Sequence, residues 1–343
     1  MIGRVIVLDM IAGRQAAALV VDGRLEDLIV DPLDDAPIPG AIYRAVADRP
    51  MKGQGGMFVK LPEGSGFLRQ TGGIAPGQRL LVQITGPAEA GKAFPVTLRL
   101  LFKSRYAIVT PGAPGLNISR RIRDDEARAD LEALAQTCMA EADAGLGLIL
   151  RSAAQAADRD DVAEDIAAMR GLAETVLADL QGDPELLVEG AGAHETAWRD
   201  WAEPAPDEIV EGGFASHDII DLIDAVARPL VDLPGGGHMM IEPTRALVAI
   251  DVNTGPDTSL AASLKANIAA ARDLPRQLRL RGLGGQIVVD FAPMPKKDRA
   301  ILDQVIRATF KAEAEANLAG WTTLGLYELT RKRDRVPLTG LLA

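Results

Sequence analysis

At 343 residues the chain has room for roughly two or three domains, and with 48% hydrophobic but only 4% aromatic residues its core must rest on Leu, Val, Ile and Ala. No stretch reaches the roughly 18–20 unbroken apolar residues of a membrane span, Asp9, Arg14 and Asp22 interrupt the start too early for a secretory leader, and the lone Cys138 excludes an intramolecular disulfide, so a cytoplasmic protein without membrane insertion is expected. The net charge of −11 argues against a polyanionic partner only until its distribution is considered: acids pool in 124–130, 158–165 and 203–211, and bases in 99–123, 272–281, 296–299 and 331–335.

In chain order, Val5–Leu8, Ala16–Val21 and Leu25–Val30 predict a small antiparallel sheet, closed off by the turn-rich Pro32–Pro39. Between 41 and 102, glycine separates five short strands: Ile42–Ala47, Gly56–Lys60, Ser65–Arg69, Arg79–Ile84 and Phe94–Phe102. That density predicts a small barrel of the oligonucleotide-binding type. Residues 124–145 and 157–180 carry helical spacing around the apolar run Leu146–Leu150, which predicts a buried strand. Residues 182–215 give no periodic signal, with Trp198 and Trp201 as local anchors. In the last third, strands are predicted over Met239–Glu242, Ala246–Val252, Gln286–Phe291 and Thr323–Leu329, and helices over 258–280 and 296–319. This alternation implies a layered α/β sheet.

Two aspartates stand out. Asp251 ends the apolar run Ala246-Leu-Val-Ala-Ile-Asp251, and Asp290 ends Gln286-Ile-Val-Val-Asp290. A carboxylate inside a buried strand needs a partner or a cation, and two such strands in one sheet would present both to the same edge, as a Mg²⁺ site requires. Asn253, two residues on, faces the same way as Asp251. The alternative is that both aspartates cap the helices that follow. Arg272, Arg276 and Arg279 share a helix face, either to contact a phosphate backbone or as a solvated basic face. Phe58 and Phe67 are stacking platforms for bases or ordinary barrel core. Arg151-Ser152 pairs a phosphate-gripping fork with a hydroxyl, or else makes a structural salt bridge. Gly145-Leu-Gly lacks a dinucleotide fingerprint, Pro234–Gly237 lacks the residues of a phosphate loop, and His194, His217 and His238 lack metal-ligand spacing.

The series Met240-Ile-Glu-Pro-Thr-Arg-Ala-Leu-Val-Ala-Ile-Asp-Val-Asn-Thr-Gly255, then Asn267, then Arg276-Gln-Leu-Arg-Leu-Arg-Gly-Leu-Gly-Gly-Gln-Ile-Val-Val-Asp-Phe291 resembles the ribonuclease E/G family. Gly40–Arg44 with Gly66-Phe-Leu68 resembles that family's RNA-binding barrel. Arg105-Tyr106, Ile118–Ile122 and Gly147–Ser152 resemble its sensor for the 5′-monophosphate end of RNA, with Ser152 where a threonine is usual. The resemblance implies a multidomain α+β and α/β protein. Residues 1–35 with about 182–228 would form a shortened ribonuclease-H-like scaffold, 36–103 an OB-fold barrel, 104–181 a 5′-sensor region and 229–343 a deoxyribonuclease-I-like catalytic domain.

It further implies a Mg²⁺-dependent endoribonuclease acting on single-stranded RNA. Asp251 and Asp290 would be the metal ligands, supported by Asn253, with Phe58, Phe67, Arg276 and Arg279 on the RNA and Arg151 with Ser152 on its 5′-phosphate. The chain departs from the family in lacking the paired cysteines of its zinc link, so no zinc-linked dimer is expected, but a monomer or weak homodimer; Arg245 and Pro293 replace acids usual near the site. The competing expectations are a non-catalytic RNA-binding or assembly protein that retains the fold, and a phosphodiesterase acting on DNA.

Overall fold

The computed structural model describes residues 2–32, 36–51, 53, 55–69, 72–89, 91–313 and 315–341. The chain divides into two compact units, one formed by residues 1–30 with 210–343 and the other by 31–209.

In the first unit, Arg4–Ile11, Arg14–Val21 and Arg24–Val30 form the antiparallel sheet that the sequence predicts, with Glu208–Glu211 on its open edge. Val5, Val7, Leu25 and Leu28 pack against Phe214, Ile219, Ile223 and Val226. The last three lie on a helix over Ile219–Ala227 that the sequence reading does not contain. The second sheet of this unit has six strands, in the order Leu230–Asp232, His238–Pro243, Val248–Asn253, Gly285–Asp290, Tyr327–Arg331 and Ala316–Trp321. Val248–Asn253 and Gly285–Asp290 run parallel, so the chain must cross over between them. It does so through the helix Leu260–Leu280, whose first turn is capped by Ser259 accepting from the Ala262 amide at 3.2 Å.

Val248, Ile250, Val252, Ile287, Val289, Tyr327 and Leu329 all point to one face, where Ala270, Leu274 and Leu278 of that helix and Leu302 and Ile306 of Lys296–Thr309 cover them. The long helix expected over 296–319 is thus corrected: it stops at Thr309, and Ala316–Trp321 is a strand paired with Tyr327–Arg331. Alanine and glutamate give 311–316 a helical propensity, but pairing in the ladder and packing of Leu318 and Trp321 onto the core override it.

Ion pairs hold the first strands to the rest of this unit. Arg335 donates from Nη2 to Asp27 at 3.1 Å and from Nη1 to the Leu28 carbonyl at 3.0 Å, and Arg279 stands 3.6 Å from the same carboxylate. Burial alone would lift the Asp27 carboxyl, but Arg335 and Arg279 outweigh it and hold it below the usual carboxylate range. A carboxyl lowered by folding contributes stability above its unfolded value, about 3.9, and loses it as pH falls through the folded value. Asp27→Asn is therefore expected to cost about 3 kcal/mol at pH 7 by removing the buried carboxylate that two half-buried guanidinium groups share. Urea unfolding should show that deficit constant from pH 7 to pH 5 and shrinking below about pH 4.

In the second unit, Ile42–Pro50, Met57–Leu61, Gly64–Leu68, Phe94–Thr97 and Arg79–Ile84 pair in that order and close where the first meets the last, giving a five-stranded barrel. Met57, Val59 and Leu68 face its interior with Tyr43, Val82 and Val96. Gly66 is glycine for lack of room, since a Cβ there would lie 2.8 Å from Val59 Cγ2. A second sheet orders Gly115–Ile118, Leu146–Leu150, Ala107–Pro111 and Phe102–Lys103. Helices Asp125–Cys138 and Arg159–Ala178 pack on it, each begun by an aspartate cap, Asp124 and Asp158. The unpatterned region supplies a strand, Glu185–Val188, paired antiparallel with the start of Ile42–Pro50, and a helix, Ala193–Asp200, fixed by the buried Trp201 that follows it.

Candidate metal centre and nucleic-acid contacts

Because side chains alternate along a strand, the residues between the buried ones of the six-stranded sheet point to its other, open face. Asp251 lies between Ile250 and Val252, and Asp290 follows Val289, so both carboxylates are exposed on that face. The parallel register sets Asp251 directly opposite Asp290, with backbones one strand spacing apart, about 4.8 Å. Asn253 donates from Nδ2 to Asp251 Oδ2 at 2.7 Å, which fixes the carboxylate's rotamer. Across the next strand, Met240 stands opposite Asp251 and His238 opposite Asn253.

Two expectations are corrected here. The aspartates are not buried among apolar residues but exposed, so no desolvation penalty acts on them, and what the sheet provides is two carboxylates set side by side. Nor do they cap helices: Ser259 performs that role for one, and Pro295, with no side-chain cap bond, begins the other.

One residue whose role was not legible completes the arrangement. Asn267, fully buried on the crossover helix, donates from Nδ2 to the Ala292 carbonyl at 2.9 Å and accepts from the Ala292 amide at 2.9 Å. The side-chain amide thereby replaces a peptide partner for the segment that leaves Asp290. An asparagine amid the alanines and leucines of that helix face is the signal that points to it.

Among the described residues, no group of three or more His, Cys, Asp or Glu side chains can hold a metal. Two carboxylates and an amide fall short of the four ligands of structural zinc and of the six to eight oxygens of Ca²⁺. They match an ion that keeps most of its water and takes one or two carboxylates, which is the preference of Mg²⁺.

The basic helix face is not a free one. Arg276 forks onto Asp273 at 2.7 and 3.1 Å and donates to the Leu25 carbonyl at 2.6 Å. Arg279 pairs with Glu313 and donates to the Glu26 carbonyl at 3.1 Å. Packing of the helix on the strand Arg24–Val30 gives Arg276 and Arg279 partners within the protein, and of the three arginines Arg272 is the exposed one.

In the barrel unit, Phe58 and Phe67 are cross-strand partners on the outer surface, half-buried, with ring centroids 5.3 Å apart at 55°. They are not barrel core. The Arg49 guanidinium sits 5.1 Å from the Phe58 ring centre. Gly56, at φ +94°, admits the Phe67 ring, which an added Cβ would approach to 2.5 Å. In the sheet behind, Arg151 follows the strand Leu146–Leu150, and Ser152 opens the short turn Ser152–Gln155. Arg151 Nη1 donates to the Ser104 carbonyl at 2.7 Å and Nη2 to Asp200 Oδ1 at 2.6 Å. The salt bridge considered for this residue therefore exists.

Residues 102–213 and 209–334 match the ribonuclease E/G family. This chain belongs to that family. Ribonuclease E/G relatives include Ribonuclease E of Synechocystis sp., 30% identical over 379 aligned residues that cover 93% of this chain and 56% of the relative. Ribonuclease E of Nostoc sp. is also 30% identical, covering 93% and 54%. Ribonuclease G of Escherichia coli (strain K12) is 29% identical, covering 78% and 62%. The chain thus spans a little over half the length of these ribonuclease E/G relatives. No helix among its described residues is long and apolar enough to cross a membrane.

Proposed function

We propose that the chain is a Mg²⁺-dependent endoribonuclease that cuts single-stranded RNA and favours strands with a 5′-monophosphate. The observation that carries this reading is the register pair Asp251 and Asp290, exposed on one sheet face with Asn253 bonded to the first. A bound Mg²⁺ would supply positive charge opposite the charge that develops on the scissile phosphate. The protein's part is geometric. Asp251 and Asp290 would hold the ion, Asn253 keeps the Asp251 carboxylate turned toward it, and Asn267 steadies the segment beyond Asp290. The outward Phe58–Phe67 pair, with Arg49 against it, offers π-faces to unstacked bases, a mode suited to single strands and tolerant of sequence. Arg151 and Ser152 supply the cation and hydroxyl for a terminal phosphate.

The test uses the full chain with two labelled RNAs of one sequence, bearing a 5′-monophosphate or a 5′-hydroxyl, and a matched DNA strand, in Mg²⁺ or in chelator. Internal cuts are expected in RNA alone, only with Mg²⁺, and faster on the phosphorylated strand. Binding without cleavage under every condition would replace this reading by a non-catalytic RNA-binding role. Equal cleavage of the DNA would remove the RNA specificity.

A further inference from the structure

The Arg151 fork already carries an anion. Its Nη1 is committed to backbone, donating to the Ser104 carbonyl at 2.7 Å and the Arg199 carbonyl at 3.3 Å, while Nη2 donates to Asp200 Oδ1 at 2.6 Å. Asp200 belongs to a different element from Arg151, as the last residue of the helix Ala193–Asp200. That helix has its own anchors: Arg105 stacks 4.3 Å from the Trp198 ring centre, and Trp201 is buried. Asp200 also accepts two bonds from Arg199, Nε to Oδ1 at 3.1 Å and Nη2 to Oδ2 at 3.0 Å. The carboxylate thus bridges two guanidinium groups and is held in place without Arg151.

We propose that Asp200 is a specificity-determining residue for the RNA 5′ end: it competes with the terminal phosphate for Arg151 Nη2 and so sets how strongly a monophosphate is preferred over a hydroxyl. This rests on the reading of Arg151 as the phosphate contact. A terminal phosphomonoester carries about −1.5 to −2 charges at pH 7, so it must approach Nη2 against a fixed negative neighbour. It displaces only the Asp200–Arg151 bond, because the Arg199 fork retains the carboxylate. Arg151 keeps its orientation through the two carbonyls on Nη1. Burial alone would lift the Asp200 carboxyl, yet Arg199 and Arg151 hold it below the usual range, so the competitor stays charged at neutral pH. A 5′-hydroxyl brings no charge to the contest, and its binding is independent of Asp200. The pair is partly exposed, with side-chain exposures of 23% and 39%, and an ion pair of that kind is worth about fivefold in an equilibrium constant.

The experiment measures binding, with cleavage disabled. Fluorescent 2′-O-methyl RNA ten-mers with a 5′-monophosphate or a 5′-hydroxyl are titrated in chelator with the full chain, Asp200→Asn, Asp200→Ala and Arg151→Gln. Both Asp200 variants are expected to raise the ratio of monophosphate to hydroxyl affinity about fivefold, and Arg151→Gln to bring it to one. A fall of the ratio in the Asp200 variants would overturn the proposal by showing that the carboxylate positions Arg151. An unchanged ratio, with Arg151→Gln still losing the preference, would overturn it by making Asp200 a bystander. If the ratio is one in the parent chain and in Arg151→Gln alike, the 5′-end reading itself falls and the proposal falls with it, an outcome that the Arg151 arm separates from the other two.

Discussion

Asp251→Asn is expected to lower RNA cleavage by about a hundred- to a thousandfold while leaving the fold intact, and Asp290→Asn to do the same. Each substitution keeps the shape of the side chain and removes the charge that would hold the cation, and removal of one preorganised electrostatic element at a reacting centre costs about a hundred- to a thousandfold. Both side chains are exposed on the open sheet face, so no packing is lost and stability should stay within about 0.5 kcal/mol. In the metal-free protein the two facing carboxylates repel each other, so the thermal midpoint of either variant should equal or exceed that of the parent. Mg²⁺ should raise the parent's midpoint by mass action and leave the variants' unmoved. Since the pair acts as a unit, the double variant should be no slower than either single one. Single-turnover cleavage and thermal unfolding, each with and without Mg²⁺, decide the matter. Undiminished cleavage by Asp251→Asn would sink the site.

The second large effect lies away from the carboxylates. Asn267→Ala is expected to cost about 2–4 kcal/mol, because it leaves the amide and the carbonyl of Ala292 without their partner inside the core. Asn267→Asp should be at least as harmful, since a carboxylate would then face the Ala292 carbonyl in place of an NH₂ donor. Loosening the segment after Asp290 should also reduce turnover in the fraction that remains folded and shift activation to higher Mg²⁺ concentration. Urea unfolding gives the first quantity and cleavage at saturating Mg²⁺ below the unfolding transition gives the second. A loss below about 0.5 kcal/mol, the scale of a neutral surface change, would show that Ala292 finds other partners.

What the sequence discloses follows from what each feature depends on. The strands Val248–Asn253 and Gly285–Asp290 are legible because an apolar run ending in Asp is a local pattern. That Asp251 faces Asp290 depends on register, which a single strand does not carry. The barrel is legible from glycine-bounded strands, and the outward pointing of Phe58 follows from alternation with Met57 and Val59 once the barrel is accepted. The partners of Arg276 and Arg279 are not legible because helical spacing reports only that residues share a face, and here the facing strand supplies carbonyl oxygens. Ala316–Trp321 misleads because its local preference is helical while its partner strand lies across a turn. The helix Ile219–Ala227 is amphipathic, with Ile219, Ile223 and Val226 buried and Asp221 and Asp224 exposed, but nine residues are too few for periodicity alone to tell it from a buried strand. Asp200 lies in a stretch without periodicity, and only the fold brings it to Arg151.

The parallel pairing of Val248–Asn253 with Gly285–Asp290 also bears on how such a sequence can change over time. The carboxylates meet because each strand counts the same parity from core to surface. Substitutions on the open face leave that count untouched and can be sampled one at a time. A single inserted or deleted residue within 285–290 would reverse it, turning Asp290 toward the apolar layer and Val289 to solvent. Gln286 and Val288, the open-face positions of this segment other than Asp290, should therefore drift in composition, while the length of the segment should scarcely change.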